Sequence, residues 1–161
     1  MSDVIKIYTD GSCLGNPGKG GYAAILKSGN HIKEISQGFR LTTNNRMEFL
    51  AAIEALRLIK KRDLKIQLFT DSSLLTNTIS KGWIKSWKLK GWKKSDKKTP
   101  ENLDLIIQLD DVINGLNLEV IWIKAHNGHP ENERCDVLAK EAANKATLID
   151  VEYEKNSSNN E

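Results

Sequence analysis

The chain has too few cysteines, prolines and long apolar runs for several classes of protein. Two cysteines and three prolines in 161 residues exclude a disulfide-rich scaffold and a collagen-like repeat. No apolar run approaches the roughly 20 residues of a membrane span, and the N-terminus lacks the basic start of a signal peptide. Hydrophobic residues make up 39% of the chain, which is enough for the core of one domain. We therefore expect a cytoplasmic protein with one domain at 1–150.

Positive charge is concentrated in one short segment. The formal net charge is +3, but residues 81–98 contain eight lysines and one aspartate, a net +7, which leaves −4 on the remainder. Such a basic segment beside an acidic body predicts a polyanionic partner. Trp83, Trp87 and Trp92 lie in the same segment, where they could stack on bases or pack the segment onto the body. Trp83 and Trp87 are one helical turn apart, which favours packing.

Hydrophobic periodicity predicts hairpin strands first, followed by strands that alternate with helices, which is typical of a mixed sheet in an α/β domain. The predicted strands are 4–9, 22–27, 31–39, 64–70 and 118–124, and the longer helices are 45–62, 99–115 and 131–146. Glycines at 11–21 predict a loop between the first two strands. The polar residues 151–161 predict a disordered tail.

Four carboxylates stand where functional groups of an open α/β sheet gather. Asp10 and Asp71 follow predicted strands, and Glu48 and Asp136 lie in early turns of predicted helices. Clustered carboxylates repel one another unless a cation bridges them, and oxygen ligands select Mg²⁺ or Mn²⁺. The alternative is that each acid is a turn or helix-cap residue, and spacing alone leaves both interpretations open.

Two other ligand motifs fail in detail. Gly18-Lys19-Gly20 resembles the end of a phosphate-binding loop, but that motif needs Gly where Cys13 stands and Ser or Thr where Gly20 stands. The histidines 126 and 129 could suggest zinc, but the two cysteines are 122 residues apart and form no C-x-x-C pair.

Four short segments, in order, resemble the signature of the bacterial-type ribonuclease H family. They are Tyr8–Ser12, Thr43–Glu48, Thr70–Ser72 and Gly128–Asp136, and the resemblance covers about residues 3–150. It implies a five-stranded mixed sheet in the order 3-2-1-4-5, flanked by helices. It also implies Mg²⁺-dependent endonucleolytic cleavage of the RNA strand of an RNA–DNA hybrid, leaving 5′-phosphate and 3′-hydroxyl ends.

The resemblance also implies roles for single residues. Asp10, Glu48, Asp71 and Asp136 would hold two Mg²⁺ ions, with Mn²⁺ as a substitute, and His126 would assist proton transfer or product release. Other residues would bind the hybrid: Cys13, Asn16, Asn44 and Asn45 near the minor groove, Thr43 and Asn102 at a DNA phosphate, and Lys85, Lys88 and Lys90 in the basic segment. Leu41, Ser73, Ala125 and Asn127 depart from the common pattern of the family.

Two rival functions share these features. A DNA strand-transfer enzyme would use a similar fold, but the chain leaves no room for accessory DNA-binding domains. A non-catalytic nucleic-acid-binding module would use the basic segment alone, but it has no use for clustered acids beside a polyanion. No apolar stripe is left over for a protein partner, so we expect a monomer.

Overall fold

A computed structural model describes residues 4–125 and 128–159. Its centre is a five-stranded sheet in the order β3-β2-β1-β4-β5. The strands are β1 (Val4–Cys13), β2 (Gly18–Ser28), β3 (His31–Thr42), β4 (Lys65–Thr70) and β5 (Asn117–Trp122). β1, β2 and β3 pair antiparallel, whereas β4 is parallel to both β1 and β5. The expected mixed sheet and its strand order are confirmed.

Helices cover both faces of this sheet. They are α1 (Asn44–Arg57), α2 (Ser73–Ser80), α3 (Trp83–Leu89), α4 (Leu103–Ile113), α5 (Pro130–Asn144) and α6 (Val151–Asn159). Alternate residues of β1 point to opposite faces. Ile5 and Ile7 join the larger core with α1 and α4, whereas Tyr8 packs with Cys135 and Ala139 of α5. None of the helices in the described ranges has the length and hydropathy of a membrane span.

Glycines bring α5 close to the sheet. A Cβ atom on Gly38 would overlap the carbonyl oxygen of Ala142, and one on Gly21 would overlap the carbonyl oxygen of Ala139. Most of residues 11–21, expected to form a loop, lie in strands, since β1 runs to Cys13 and β2 begins at Gly18. That prediction was wrong because strand glycines can mark a close backbone approach as well as a loop.

The C-terminal segment differs from the disordered tail that its composition predicts. Residues 151–159 form α6. Asp150 directly precedes this helix, and its Oδ1 accepts a hydrogen bond from the N–H of Tyr153 (3.4 Å). Arg40 of β3 donates to the Glu154 carboxylate (2.9 Å). The polar residues gain order from contacts with the sheet, which composition alone does not reveal. Residues 160 and 161 lie outside the described residues.

Candidate active site

Three of the four predicted acids converge at one end of the parallel strands. Asp10 lies in β1 just past the point where pairing with β4 ends, and Asp71 directly follows the last residue of β4. Glu48 lies in the second turn of α1. One carboxylate oxygen from each of the three lies within 4.8 Å of the others.

Gly11 allows Glu48 to reach the strands. Its N–H donates to Asp10 Oδ1 (3.0 Å) and to Glu48 Oε1 (3.1 Å), so one donor orients two carboxylates. A Cβ atom on Gly11 would lie 2.8 Å from the backbone nitrogen of Glu48, closer than packed atoms approach. Glycine is therefore required for α1 to lie this close to β1.

Asp136 lines the same cleft from the opposite face of the sheet. It lies on α5, and with Asp10 and Asp71 it lines the small cavity beside the loop that precedes α5. It also lines the wider cleft that contains Glu48. Its carboxylate forms an ion pair with Lys140, one turn further along the helix, with 3.0 Å between Asp136 Oδ2 and Lys140 Nζ. The four predicted acids thus border one cleft.

Burial and mutual repulsion disfavour the ionised form of these carboxylates. Burial, followed by the charges of Asp71 and Asp136, raises the pKa of Asp10 to about 8. Burial, followed by the charges of Asp10 and Asp71, raises the pKa of Glu48 well above its ordinary value. The protein itself therefore supplies too little positive charge for the cluster, so a bound cation would stabilise the ionised acids.

The donor set fits a hard divalent cation. All the converging atoms are carboxylate oxygens, which Mg²⁺ and Mn²⁺ prefer. Glu48 Oε2 is buried and has no hydrogen-bond partner among the described residues. A buried acceptor without a partner costs stability, and a metal ion is one group that would satisfy it.

Side chains at the start of α1 border the acidic cleft. Thr43 caps α1, since its Oγ1 accepts a hydrogen bond from the N–H of Arg46 (3.3 Å). Asn16 Oδ1 accepts a hydrogen bond from the N–H of Asn44 (3.0 Å), so the β1–β2 turn is fixed to the helix start. Asn44 and Asn45 line the cleft with the acids. In this cap the Thr43 hydroxyl only accepts a hydrogen bond, so its O–H group is still free to donate one.

The two cysteines occupy different environments. Cys13 Sγ lies among the carbonyl oxygens of Gly15, Gly18 and Thr42, and burial raises the pKa of its thiol. Cys135 is fully buried. Both are free thiols. Cys13 therefore supports the same turn that Asn16 holds.

The basic segment 81–98 includes α3 and the residues that follow it. Lys85 and Lys90 are exposed, and Lys88 pairs with Asp110 of α4 (2.9 Å). Trp87 and Trp92 pack against the larger core, which confirms the packing interpretation for these two residues. The lysines remain at the surface while the tryptophans fix the segment to the body.

Asn102 belongs to a buried ion-pair network that sequence reasoning missed. Arg46 is 4% exposed and donates to both carboxylate oxygens of Asp104 (2.9 and 2.7 Å) and of Asp150 (2.7 and 3.0 Å). It also donates to Asn102 Oδ1 (3.3 Å), and Thr42 donates to Asp150 (2.7 Å). Asp150 lies 104 residues from Arg46, so no local sequence pattern could indicate the pair.

Two further polar side chains near the acids, Trp122 and Asn132, were also missed. The indole N–H of Trp122 donates to the backbone carbonyl of Asp71 (3.1 Å). Asn132 lines the small cavity beside Asp136, and its buried Oδ1 has no partner among the described residues. Asn132 precedes Asp136 by four residues, a spacing that places both on one face of α5. The predicted His126 lies outside the described residues.

The comparisons with known proteins identify the family. The family model described as RNase H matches residues 2–144. This chain belongs to the RNase H family. A ribonuclease H from Pseudoalteromonas atlantica is 53% identical over 145 residues, which are 90% of this chain and 94% of the relative.

Solved structures of the RNase H family have the same fold. The crystal structure of LC9-RNase H1, described as a type 1 RNase H with the type 2 active-site motif, superposes with a TM-score of 0.79 at 29% identity and covers 91% of this chain and 75% of that one. LC11-RNase H1, solved in complex with an RNA/DNA hybrid, gives a TM-score of 0.65 at 26% identity and covers 88% of this chain and 97% of that one.

Proposed function

We propose that the protein is an endoribonuclease that hydrolyses the RNA strand of RNA–DNA hybrids and leaves 5′-phosphate and 3′-hydroxyl ends. The observation that carries the proposal is the convergence of Asp10, Glu48 and Asp71 in an RNase H family chain, with Asp136 on the same cleft. The hybrid in the LC11-RNase H1 structure supports the same substrate here.

Asp10, Glu48, Asp71 and Asp136 would hold two Mg²⁺ ions, and Mn²⁺ would substitute for them. When bound, the ions would activate a water for in-line attack and stabilise charge on the leaving 3′-oxygen. Gly11 N–H holds Asp10 Oδ1 and Glu48 Oε1 in one orientation, which keeps two ligands in place before the substrate arrives.

The protein's own polar groups would bind the two strands separately. Asn44 and Asn45 line the acidic cleft and would contact the minor groove, where the 2′-hydroxyl distinguishes RNA. Thr43 and Asn102 would bind a DNA phosphate. Exposed lysines of the basic segment would engage further phosphates and give a salt-dependent affinity.

His126 would assist proton transfer or product release from the loop before α5. We also propose a monomer that acts in the cytoplasm, where the free thiols of Cys13 and Cys135 would stay reduced. Size-exclusion chromatography with light scattering checks the monomer against its 18.1 kDa mass.

The activity is tested with one end-labelled RNA strand annealed in turn to DNA and to RNA, in Mg²⁺ or in EDTA. Cutting of the hybrid alone, and only in Mg²⁺, is the expected result. Analysis of the product ends checks for 5′-phosphate and 3′-hydroxyl groups. If the protein binds the hybrid but does not cut it, in Mg²⁺ and again in Mn²⁺, the enzyme proposal is wrong and the protein is a nucleic-acid-binding module.

A further inference from the structure

Arg46 contacts both residues that the proposed function places at a DNA phosphate. Its backbone N–H donates to Thr43 Oγ1 and its Nη1 donates to Asn102 Oδ1, each at 3.3 Å. Its own side chain is only 4% exposed. Arg46 is therefore too deeply buried to bind a phosphate itself, but it lies directly beneath a residue that could.

The contact with Arg46 fixes which way the Asn102 amide faces. A guanidinium group can only donate hydrogen bonds, so the amide atom that faces Arg46 must be the oxygen. The opposite orientation would place two donors against each other. The Asn102 NH₂ group therefore points away from Arg46, and its two N–H donors are available to an anion.

Two carboxylates hold the guanidinium in this position. Nε donates to Asp150, Nη2 donates to Asp150 and Asp104, and Nη1 donates to Asp104 and Asn102. All five N–H donors of Arg46 are thus used, in the planar arrangement that arginine alone provides. Asp150 is itself fixed by Thr42 Oγ1 (2.7 Å) and lies at the start of α6.

We propose that Arg46, clamped by Asp104 and Asp150, is a positioning residue that orients the Asn102 amide as a donor to a phosphate of the DNA strand. The inference rests on the proposed function, since it assumes that a hybrid binds beside Asn102. It also gives the segment before α6 a part in substrate binding, because Asp150 acts on Asn102 through Arg46.

The test is a double-mutant cycle of Arg46→Lys and Asn102→Gly. Lysine keeps the positive charge between the two aspartates but lacks the planar set of donors. Glycine removes the amide and suits the left-handed backbone of Asn102, whose φ is 60°. Each single variant should raise the KM for the hybrid about threefold to tenfold, the range of one hydrogen bond, with kcat within about twofold.

The double variant decides between positioning and general structural support. If Arg46 acts through Asn102, adding Arg46→Lys to Asn102→Gly changes KM by less than about twofold. If the two effects instead multiply, or if Arg46→Lys leaves KM unchanged, the proposal is wrong. Should Arg46→Lys not fold, Asp104→Asn, which removes one of the two clamping charges, takes its place in the same cycle.

Arg40→Lys is the matched control. It weakens another arginine–carboxylate pair on α6, the one between Arg40 and Glu154. Among the described residues Arg40 shares no hydrogen bond or ion pair with Arg46, so KM should not change. The same cycle measured on the dissociation constant of the hybrid in EDTA separates the two proposals. If the wild-type protein does not cleave the hybrid, the proposed function is wrong. The double-mutant cycle measured on the dissociation constant would still test the role of Arg46.

Discussion

Replacing Asp10 by asparagine should stabilise the protein when no divalent cation is present. The pKa of Asp10 is raised from an ordinary value of 3.8 to about 8 by burial and by the charges of Asp71 and Asp136. Between these two pH values the native state holds a proton that the unfolded state has lost. The free energy of unfolding therefore falls as the pH rises, by about 1.4 kcal/mol per pH unit.

At pH 7, about three pH units above the ordinary value, the proton that native Asp10 retains has lowered the free energy of unfolding by up to about 4 kcal/mol. Asparagine does not ionise, and its Oδ1 can still accept the hydrogen bond from Gly11. In EDTA, Asp10→Asn should therefore exceed the wild type in stability by up to this amount at pH 7. The difference should shrink as the pH falls towards 4.

Urea unfolding at pH 4.5, 6 and 7.5 measures this difference. Addition of Mg²⁺ should stabilise the wild type and should stabilise Asp10→Asn less. Asp111→Asn is the control, since Asp111 is an exposed residue of α4, far in sequence from the cleft, and its replacement should leave stability nearly unchanged. An Asp10→Asn variant that is no more stable than the wild type in EDTA at pH 7 would mean that burial and repulsion do not raise the pKa of Asp10 in the folded protein.

Three other substitutions test separate parts of the site. Gly11→Ala should lower the free energy of unfolding by roughly 1–3 kcal/mol in urea, because its Cβ atom would crowd the Glu48 backbone; an unchanged stability would contradict the close approach. Trp122→Phe removes the hydrogen bond to the Asp71 carbonyl and should cost about 1 kcal/mol in thermal unfolding, with a higher Mg²⁺ concentration for half-maximal activity. Lys85→Ala should reduce the slope of log affinity for the hybrid against log salt by about one, and an unchanged slope would remove Lys85 from the interface.

Local patterns predicted the sheet because they reflect the way each strand is buried. Ile5 and Ile7, with Lys6 between them, have the two-residue spacing of one strand face, and both lie in one core. The positions of the four acids followed from the predicted strand ends and helix starts, whereas their role as metal ligands and the strand order came from the family resemblance, and the order is confirmed. The structure adds that Asp10, Glu48 and Asp71 converge, which spacing alone could not establish.

Contacts between distant segments explain why the start of α4 was predicted wrongly. Thr99-Pro100 has the pattern of a helix start, yet α4 begins at Leu103. Asn102 adopts a left-handed conformation there and accepts a hydrogen bond from Arg46, 56 residues earlier. A local pattern contains no record of that partner, so it cannot place the helix start.

The C-terminal helix was missed for a related reason. Its composition is polar, and polar segments bury too little apolar surface to fold alone. The ion pair between Arg40 and Glu154, together with the hydrogen bond that Thr42 donates to Asp150, fixes α6 to β3. Both contacts depend on a sheet that exists only after the rest of the chain has folded.

We propose that the carboxylate cluster carries the cleavage of the RNA strand while other groups bind the hybrid. Single-turnover cleavage of a labelled hybrid in Mg²⁺, measured for the wild type and for Asp10→Asn beside hybrid binding in EDTA, tests it most directly. We expect the wild type to cut the RNA strand and Asp10→Asn to bind the hybrid at least as tightly without cutting it. Cleavage by Asp10→Asn at the wild-type rate would show that the carboxylate cluster does not carry the reaction.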